Sequence, residues 1–311
     1  MRLRPVFLVS LVFVALFSIG VFTWLLGGFG GGVKPGVGVG VPPPGVGPEE
    51  DGPWNHRLLI AFSEDGRRWL KTYRVLSDQA SVPDVIIDPK GRIRVYYADY
   101  YNLGIILAIS RDGERWRYIR VKGLNASWVD PDVVLLPDGS YRLYASYMPL
   151  HGPQDRILSA ISRDGIHFKV EAGCRYRHPG RLVVDPDVFY FQGRWYMIIG
   201  PRLTLLESED GLTFTPVGDL PLEGAVSSTI LVEGRLRIYY HHLEADGRLH
   251  IYMAETRDLE GWSVEQVLSP GPQGSLDAYG VGDPAVAELP DGGYIMVYKT
   301  WIEPPPWISG G

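Results

Sequence analysis

Short runs in which apolar and polar side chains alternate fill the chain from about residue 56 to 300. Arg92-Ile93-Arg94-Val95-Tyr96-Tyr97 and Arg194-Trp195-Tyr196-Met197-Ile198 are two of them. A period of two puts successive side chains on opposite faces of a strand, and no helical period is sustained in this region. Each alternating run follows an apolar strand and a glycine turn. Asp84-Val85, Asp132-Val133 and Asp187-Val188 open three such pairs. A fourth runs from Ser228 through Gly234 to Tyr240, and a fifth from Ala285 through Gly292 to Tyr298. Asp138-Gly139 and Asp291-Gly292 supply hairpin turn chemistry.

A second pattern is interleaved with the first. Ser63-Glu64-Asp65-Gly66, Ser110-Arg111-Asp112-Gly113, Ser162-Arg163-Asp164-Gly165 and Ser208-Glu209-Asp210-Gly211 recur, with Thr256-Arg257-Asp258-Leu259 as a degenerate fifth copy. An aromatic follows each: Trp69, Trp116, Phe168, Phe214 and Trp262. The intervals of 47, 52, 46 and 48 residues match one four-stranded propeller blade. Ser and Asp of such a turn can bond nearby backbone amides while Gly takes the left-handed conformation, so the motif is read as structural. The piece from His56 to Tyr73 carries only the last two strands of a blade, and Asp283 to Thr300 only the first two. Pairing them closes a ring without exposed sheet edges. The expectation is an all-β, five-bladed propeller over residues 54–303, with a short tail at 304–311.

The first 53 residues fall outside that pattern. Arg2 and Arg4 precede an uncharged stretch whose predominantly apolar run, 6–26, has 21 residues. That is long enough to cross about 30 Å of hydrocarbon and longer than a typical signal-peptide core. Residues 1–26 are read as an uncleaved signal anchor, a single transmembrane helix. The positive-inside rule then puts the remainder outside the cell, so the expected location is the cell membrane with the propeller extracellular. The Gly/Val/Pro-rich stretch 27–53 has little to bury and is read as a linker.

Composition narrows the chemistry. Nine Trp and 18 Tyr suit strands and also sugar-stacking surfaces. A net charge of −6 with no basic run argues against nucleic acid. Cys174 is the only cysteine, so no internal disulfide forms, and zinc spacing is absent.

Inner propeller strands begin around one channel mouth, so residues repeated at those beginnings converge. Here they are Asp84, Asp130 and Asp132, Asp185 and Asp187, and Asp283; the fourth blade has Ser227 and Ser228, with Glu223 just before. Crowded carboxylates raise one another's pKa, and one protonated plus one ionised carboxyl is what glycoside hydrolysis requires. Two other readings stand beside this: Asp-Pro-Asp as a strand-opening device, and Ca²⁺ held in the channel by carboxylate oxygens. His242, or its neighbour His241, and Arg202 are further candidates for sugar contacts; adjacent strand residues face opposite ways, so one histidine at most faces the channel.

Asp130-Pro131-Asp132-Val133 and Asp185-Pro186-Asp187-Val188 resemble the Asp-Pro strand openings of glycoside hydrolase family 43. The Ser-Arg-Asp-Gly turns resemble those of families 43 and 32. The resemblance implies a five-bladed propeller with three acidic residues: Asp84 as the first-blade base or nucleophile, Asp185 as the supporting aspartate and Glu223 as the acid. Asp130, Asp132, Asp187, Asp283, Arg202 and His242 would then contact substrate, with no cofactor. Departures are visible: Asp84 lies two positions beyond the usual aspartate, and Glu223 sits about three residues early with Ala225 where proline is expected. A sialidase would need an arginine cluster at the strand openings, which carry aspartates instead. The functional expectation is an extracellular, membrane-tethered glycosidase acting on furanosides or related glycans; the alternative is a catalytically silent propeller that binds glycans or a partner.

Overall fold

The structure, a computed structural model, describes residues 33–47, 50–149 and 156–308. After a single 3-10 turn at Pro53–Asn55, strands β1 (His56–Ser63) and β2 (Leu70–Asp78) form the outer half of a blade completed by the chain's last two strands. Blade 1 comprises β3 (Ala80–Ile87), β4 (Ile93–Asp99), β5 (Gly104–Ser110) and β6 (Arg117–Arg120). Blade 2 holds β7 (Trp128–Leu135), β8 (Tyr141–Tyr147) and β9 (Arg156–Ser162), whose outer edge is shared by the short β10 (Lys169–Val170) and β11 (Tyr176–Arg177). Blade 3 runs from β12 (Val184–Phe191) through β13 (Arg194–Gly200) and β14 (Thr204–Ser208) to β15 (Thr215–Asp219). Blade 4 contains β16 (Ala225–Val232), β17 (Arg235–Leu243), β18 (Leu249–Thr256) and β19 (Ser263–Leu268). The inner strands of blade 5 are β20 (Gly282–Glu288) and β21 (Tyr294–Trp301).

Closure is as the split repeat requires. β1 pairs antiparallel with β21, Leu59 opposite Tyr298 and Phe62 opposite Ile295. The five inner strands β3, β7, β12, β16 and β20 each touch the next, β20 returning to β3. The apolar core lies between blades rather than at one centre. One cluster joins Val95, Tyr97 and Ile106 of blade 1 to Ala285, Ile295 and Val297 of blade 5.

The repeated turn fastens neighbouring blades. Ser63 Oγ accepts the Gly66 N–H at 2.9 Å, while Asp65 Oδ1 accepts the N–H groups of Arg67 and Arg68 at 2.8 Å. The same set recurs at Ser110, Ser162, Ser208 and Thr256. In three of the five copies the following aromatic packs edge-on against a tyrosine of the preceding blade: Trp69 on Tyr239, Phe168 on Tyr96, Phe214 on Tyr144. Each of those tyrosines also donates its hydroxyl to the turn's glycine carbonyl, at 2.7–2.9 Å.

The anchor expected at 1–26 lies outside the described residues. Among those described, no helix is long and apolar enough to cross a membrane. The expected linker differs from the sequence reading from residue 33 onward, because it is laid along the propeller. Gly36 exchanges hydrogen bonds with Ser77 and Asp78, the Gly38 N–H donates to Asp78 Oδ2 at 2.6 Å, and Tyr100 donates to the Val41 carbonyl at 2.9 Å. These are backbone contacts, and a composition poor in apolar side chains gives no sign of them. Gly36 is required by the close approach: a Cβ there would strike the Asp78 carbonyl.

Candidate functional site: the channel mouth

Every inner strand opens on a bulge. The pairing register slips between Ser81 and Asp84, Val129 and Asp132, Val184 and Asp187, Ala225 and Ser227, and Gly282 and Ala285. At each slip one non-glycine residue takes positive φ: Val82 (44°), Asp130 (50°), Asp185 (53°), Val226 (47°) and Asp283 (43°). Such backbone is costly for an L-residue and marks places where a side chain is re-aimed. The bulge sorts the aspartates of the strand openings into two rings with different work.

The residues two positions further on are blade-to-blade fasteners. Asp84 accepts the Val133 N–H at 2.9 Å, Asp132 that of Val188 at 3.2 Å, and Asp187 both the N–H (3.1 Å) and the hydroxyl (2.7 Å) of Thr229. Ser228 continues the series by accepting the Val286 N–H at 3.0 Å. The strand-opening device thus describes Asp84, Asp132 and Asp187, including the first-blade carboxylate for which the family resemblance implies catalysis. Burial pushes Asp84 up to about 7, with the Val133 N–H opposing and the charge of Asp187 adding to the rise. Asp132 is raised by burial and by the charges of Asp84 and Asp187.

The bulge residues themselves form the second ring, in which carboxylates meet ionisable partners. Asp130 lies against Ser146 and Asp185, and burial pushes it up to about 6. The Asp185 N–H donates to Ser146 Oγ at 3.0 Å, and burial, Asp130 and Asp283 together lift the Asp185 carboxyl well above the usual range. Gly200 faces it, where a Cβ would lie 2.7 Å from Asp185 Oδ2. Asp283 is the opposite case. Burial works against its charge, yet Lys299 Nζ at 2.8 Å holds it below the usual range. His241 Nδ1 accepts the Asp283 N–H at 3.1 Å and burial lowers the ring's pKa, which leaves Lys299 as the main source of positive charge at this carboxylate. The ring therefore contains two carboxyls driven toward the protonated form, Asp130 and Asp185, and one, Asp283, held ionised.

Three expected contacts fall elsewhere. Glu223, given the acid's role by resemblance, is exposed and lines a separate depression with His242, because the fourth bulge falls at Val226 and leaves Glu223 upstream of β16. Of the histidine pair, His241 faces the channel and His242 the other side of β17. Arg202 projects into solvent, 3.7 Å from Asp219. The sequence reading missed Lys299 and Gly200; the signal for Lys299 was a lone cation ending the otherwise uncharged run Tyr294-Ile295-Met296-Val297-Tyr298. The enclosed space among Asp84, Asp132, Asp185 and Ser227 is about 10 Å³, roughly one water. Among the described residues no three His, Cys, Asp or Glu side chains are grouped to hold a metal ion.

No family model matches the chain, and no curated protein sequence matches it. Solved structures do. A thermostable family-43 glycoside hydrolase superposes with a TM-score of 0.55 at 18% identity, over 70% of this chain and 83% of that one. An α-L-arabinofuranosidase from Clostridium thermocellum ATCC 27405 gives 0.54 at 18% identity, over 70% and 80%. A mutant α-L-arabinanase from Cellvibrio cellulosa gives 0.56 at 11% identity, over 72% and 87%. The chain therefore has the five-bladed propeller fold of family 43 glycoside hydrolases.

Proposed function

We propose that the chain is a glycoside hydrolase acting on furanosides or related glycans, with its chemistry at the bulge ring of the channel mouth. The carrying observation is the different surroundings of two neighbouring carboxyls: Lys299 Nζ lies 2.8 Å from Asp283 and favours its charge, while Asp185 lines the channel space and is raised by burial, Asp130 and Asp283. Asp185 keeps an edge open to the channel space and is the proton donor to the leaving oxygen; the buried Asp283, held ionised by Lys299, and Asp130 tune Asp185. A screen of aryl furanosides, aryl pyranosides and plant-type polysaccharides tests it. Asp185→Asn should lower turnover at least a hundredfold while the melting temperature stays within a few degrees. Turnover unaffected by Asp185→Asn would sink the assignment.

A second reading, a propeller that binds glycans without cleaving them, is favoured by Val226 where a fourth-blade carboxylate would stand and by the narrow channel space. Binding without turnover in the same screen would select it. We also propose that residues 1–26 tether the propeller to the outside of the cell membrane, which cell fractionation and surface proteolysis would test.

A further inference from the structure

Blade 4 carries an open depression of about 290 Å³ at the strand ends that share the channel-mouth side, close to the roughly 300 Å³ at which small-molecule pockets begin. Its lining takes Tyr240 and His242 from alternate positions of β17 and Glu244 from just past its end, with Tyr252 from β18 and with Leu222 and Glu223 from the segment leading into β16. The two tyrosine rings stack, 6.0 Å apart and 27° from parallel, and the His242 ring meets Tyr252 edge-on at 5.9 Å. The Tyr252 hydroxyl donates to the Glu244 carboxylate. Glu223 makes no hydrogen bond or ion pair with any described residue. Tyr240, with Leu222 and Tyr252 against it, also packs in the apolar cluster between blades 3 and 4, whereas the channel chemistry does not use His242, Glu223 or Glu244.

We infer that this depression is a separate binding site for one neutral sugar ring of a glycan. An aromatic surface beside an apolar wall suits the C–H face of a sugar, and two carboxylates are acceptors for its adjacent hydroxyls. No Lys or Arg lines the depression, so a uronate or sulfated sugar would meet two like charges without a counter-ion. The inference rests on the glycan reading above but not on hydrolysis.

The test is titration of the full chain carrying Asp185→Asn, the variant expected to slow turnover at least a hundredfold, with methyl arabinofuranoside, methyl xyloside and methyl galactoside, followed by calorimetry and ligand-observed NMR. At least one neutral glycoside should bind, and Glu223→Ala and Tyr252→Ala should each weaken that binding at least tenfold. Glucuronate should bind at least tenfold more weakly than the neutral sugar. Should Tyr252→Ala fail to fold, Tyr252→Phe keeps the ring and should change affinity less than Glu223→Ala. Binding that ignores Glu223→Ala, binding of protonated amines alone with competition from a simple alkylammonium ion, or no binding by any neutral glycoside would each overturn the site. Loss of hydrolysis in the parent chain with binding intact would overturn only the catalytic reading.

Discussion

Asp187 and Asp185 are separated by one proline, yet one fastens a blade and the other faces the channel. Replacing Asp187 with alanine orphans the Thr229 N–H and hydroxyl, a cost of about 2–3 kcal/mol. That corresponds to roughly 5–10 °C of melting temperature in a chain this size, readable by calorimetry. Asp84 gives a pH signature. Its folded pKa, about 7, lies above the ordinary 3.8, so between those values the folded protein holds a proton that the unfolded chain has released. Stability from this group is complete below about pH 4 and is lost as pH rises through about 7. Asp84→Asn removes that loss, so the variant's melting temperature relative to the parent should climb between pH 4 and 7.5. A pH-independent difference would show that Asp84 is not buried as described. The sequence displayed all of these aspartates, but their division into two rings depends on a bulge that sets which partner each carboxylate meets. Nothing in Asp-Pro-Asp announces that bulge.

Among the elements, the Ser-x-Asp-Gly turn was the most legible, because its side chains bond their own backbone within a few residues. That the following aromatic packs between blades was legible too, but its tyrosine partner was not, since that residue lies about 70 positions away in two of the copies. Blade 4 shows the pairing by exception. Leu259 replaces the turn glycine there, at φ 65°, and it packs in the cluster holding Ile198, at the strand position where neighbouring blades have the tyrosine. A direct comparison of two glycines tests this account. Gly165 has φ 69°, and a Cβ would lie 2.6 Å from the Tyr96 hydroxyl; Gly139 has φ 80° with open space around it. Gly139→Ala should cost only the backbone penalty, about 1 kcal/mol. Gly165→Ala should cost about 2–4 kcal/mol, because the clash also breaks the Tyr96 hydrogen bond to the Gly165 carbonyl. Equal melting temperatures for the two variants would remove the inter-blade role from the turn.

At the scale of the whole molecule, the ring closure could be read from half-blades at the two ends, because strand count and alternation survive in any copy of the repeat. The seating of residues 33–47 and 50–53 could not, and it changes what the folded unit is. Asp51 sits in the closure itself, where Oδ2 accepts from Trp301 Nε1 and contacts His56 Nε2, both at 2.9 Å, while His56 Nδ1 lies 2.9 Å from Ser81 Oγ. All four side chains are buried, and Trp301 in turn packs beneath the Lys299 ammonium that keeps Asp283 ionised. A chain starting at residue 54 therefore loses Asp51 and leaves the Trp301 indole N–H without its acceptor, at about 1–3 kcal/mol for each orphaned buried group. It also loses the Gly36 and Gly38 contacts to Asp78. We expect its melting temperature to fall about 10 °C or more below that of a chain starting at residue 33. Asp51→Ala in the longer chain should reproduce roughly half of the fall, whereas Tyr100→Phe, which loses only the bond to the Val41 carbonyl, should cost about 1 kcal/mol or less. Because Trp301 carries the effect toward Lys299, Asp51→Ala should also shift the pH profile of any turnover, and Tyr100→Phe should not. Identical melting curves for the two chain lengths would show that the segment does not rest on the propeller in solution.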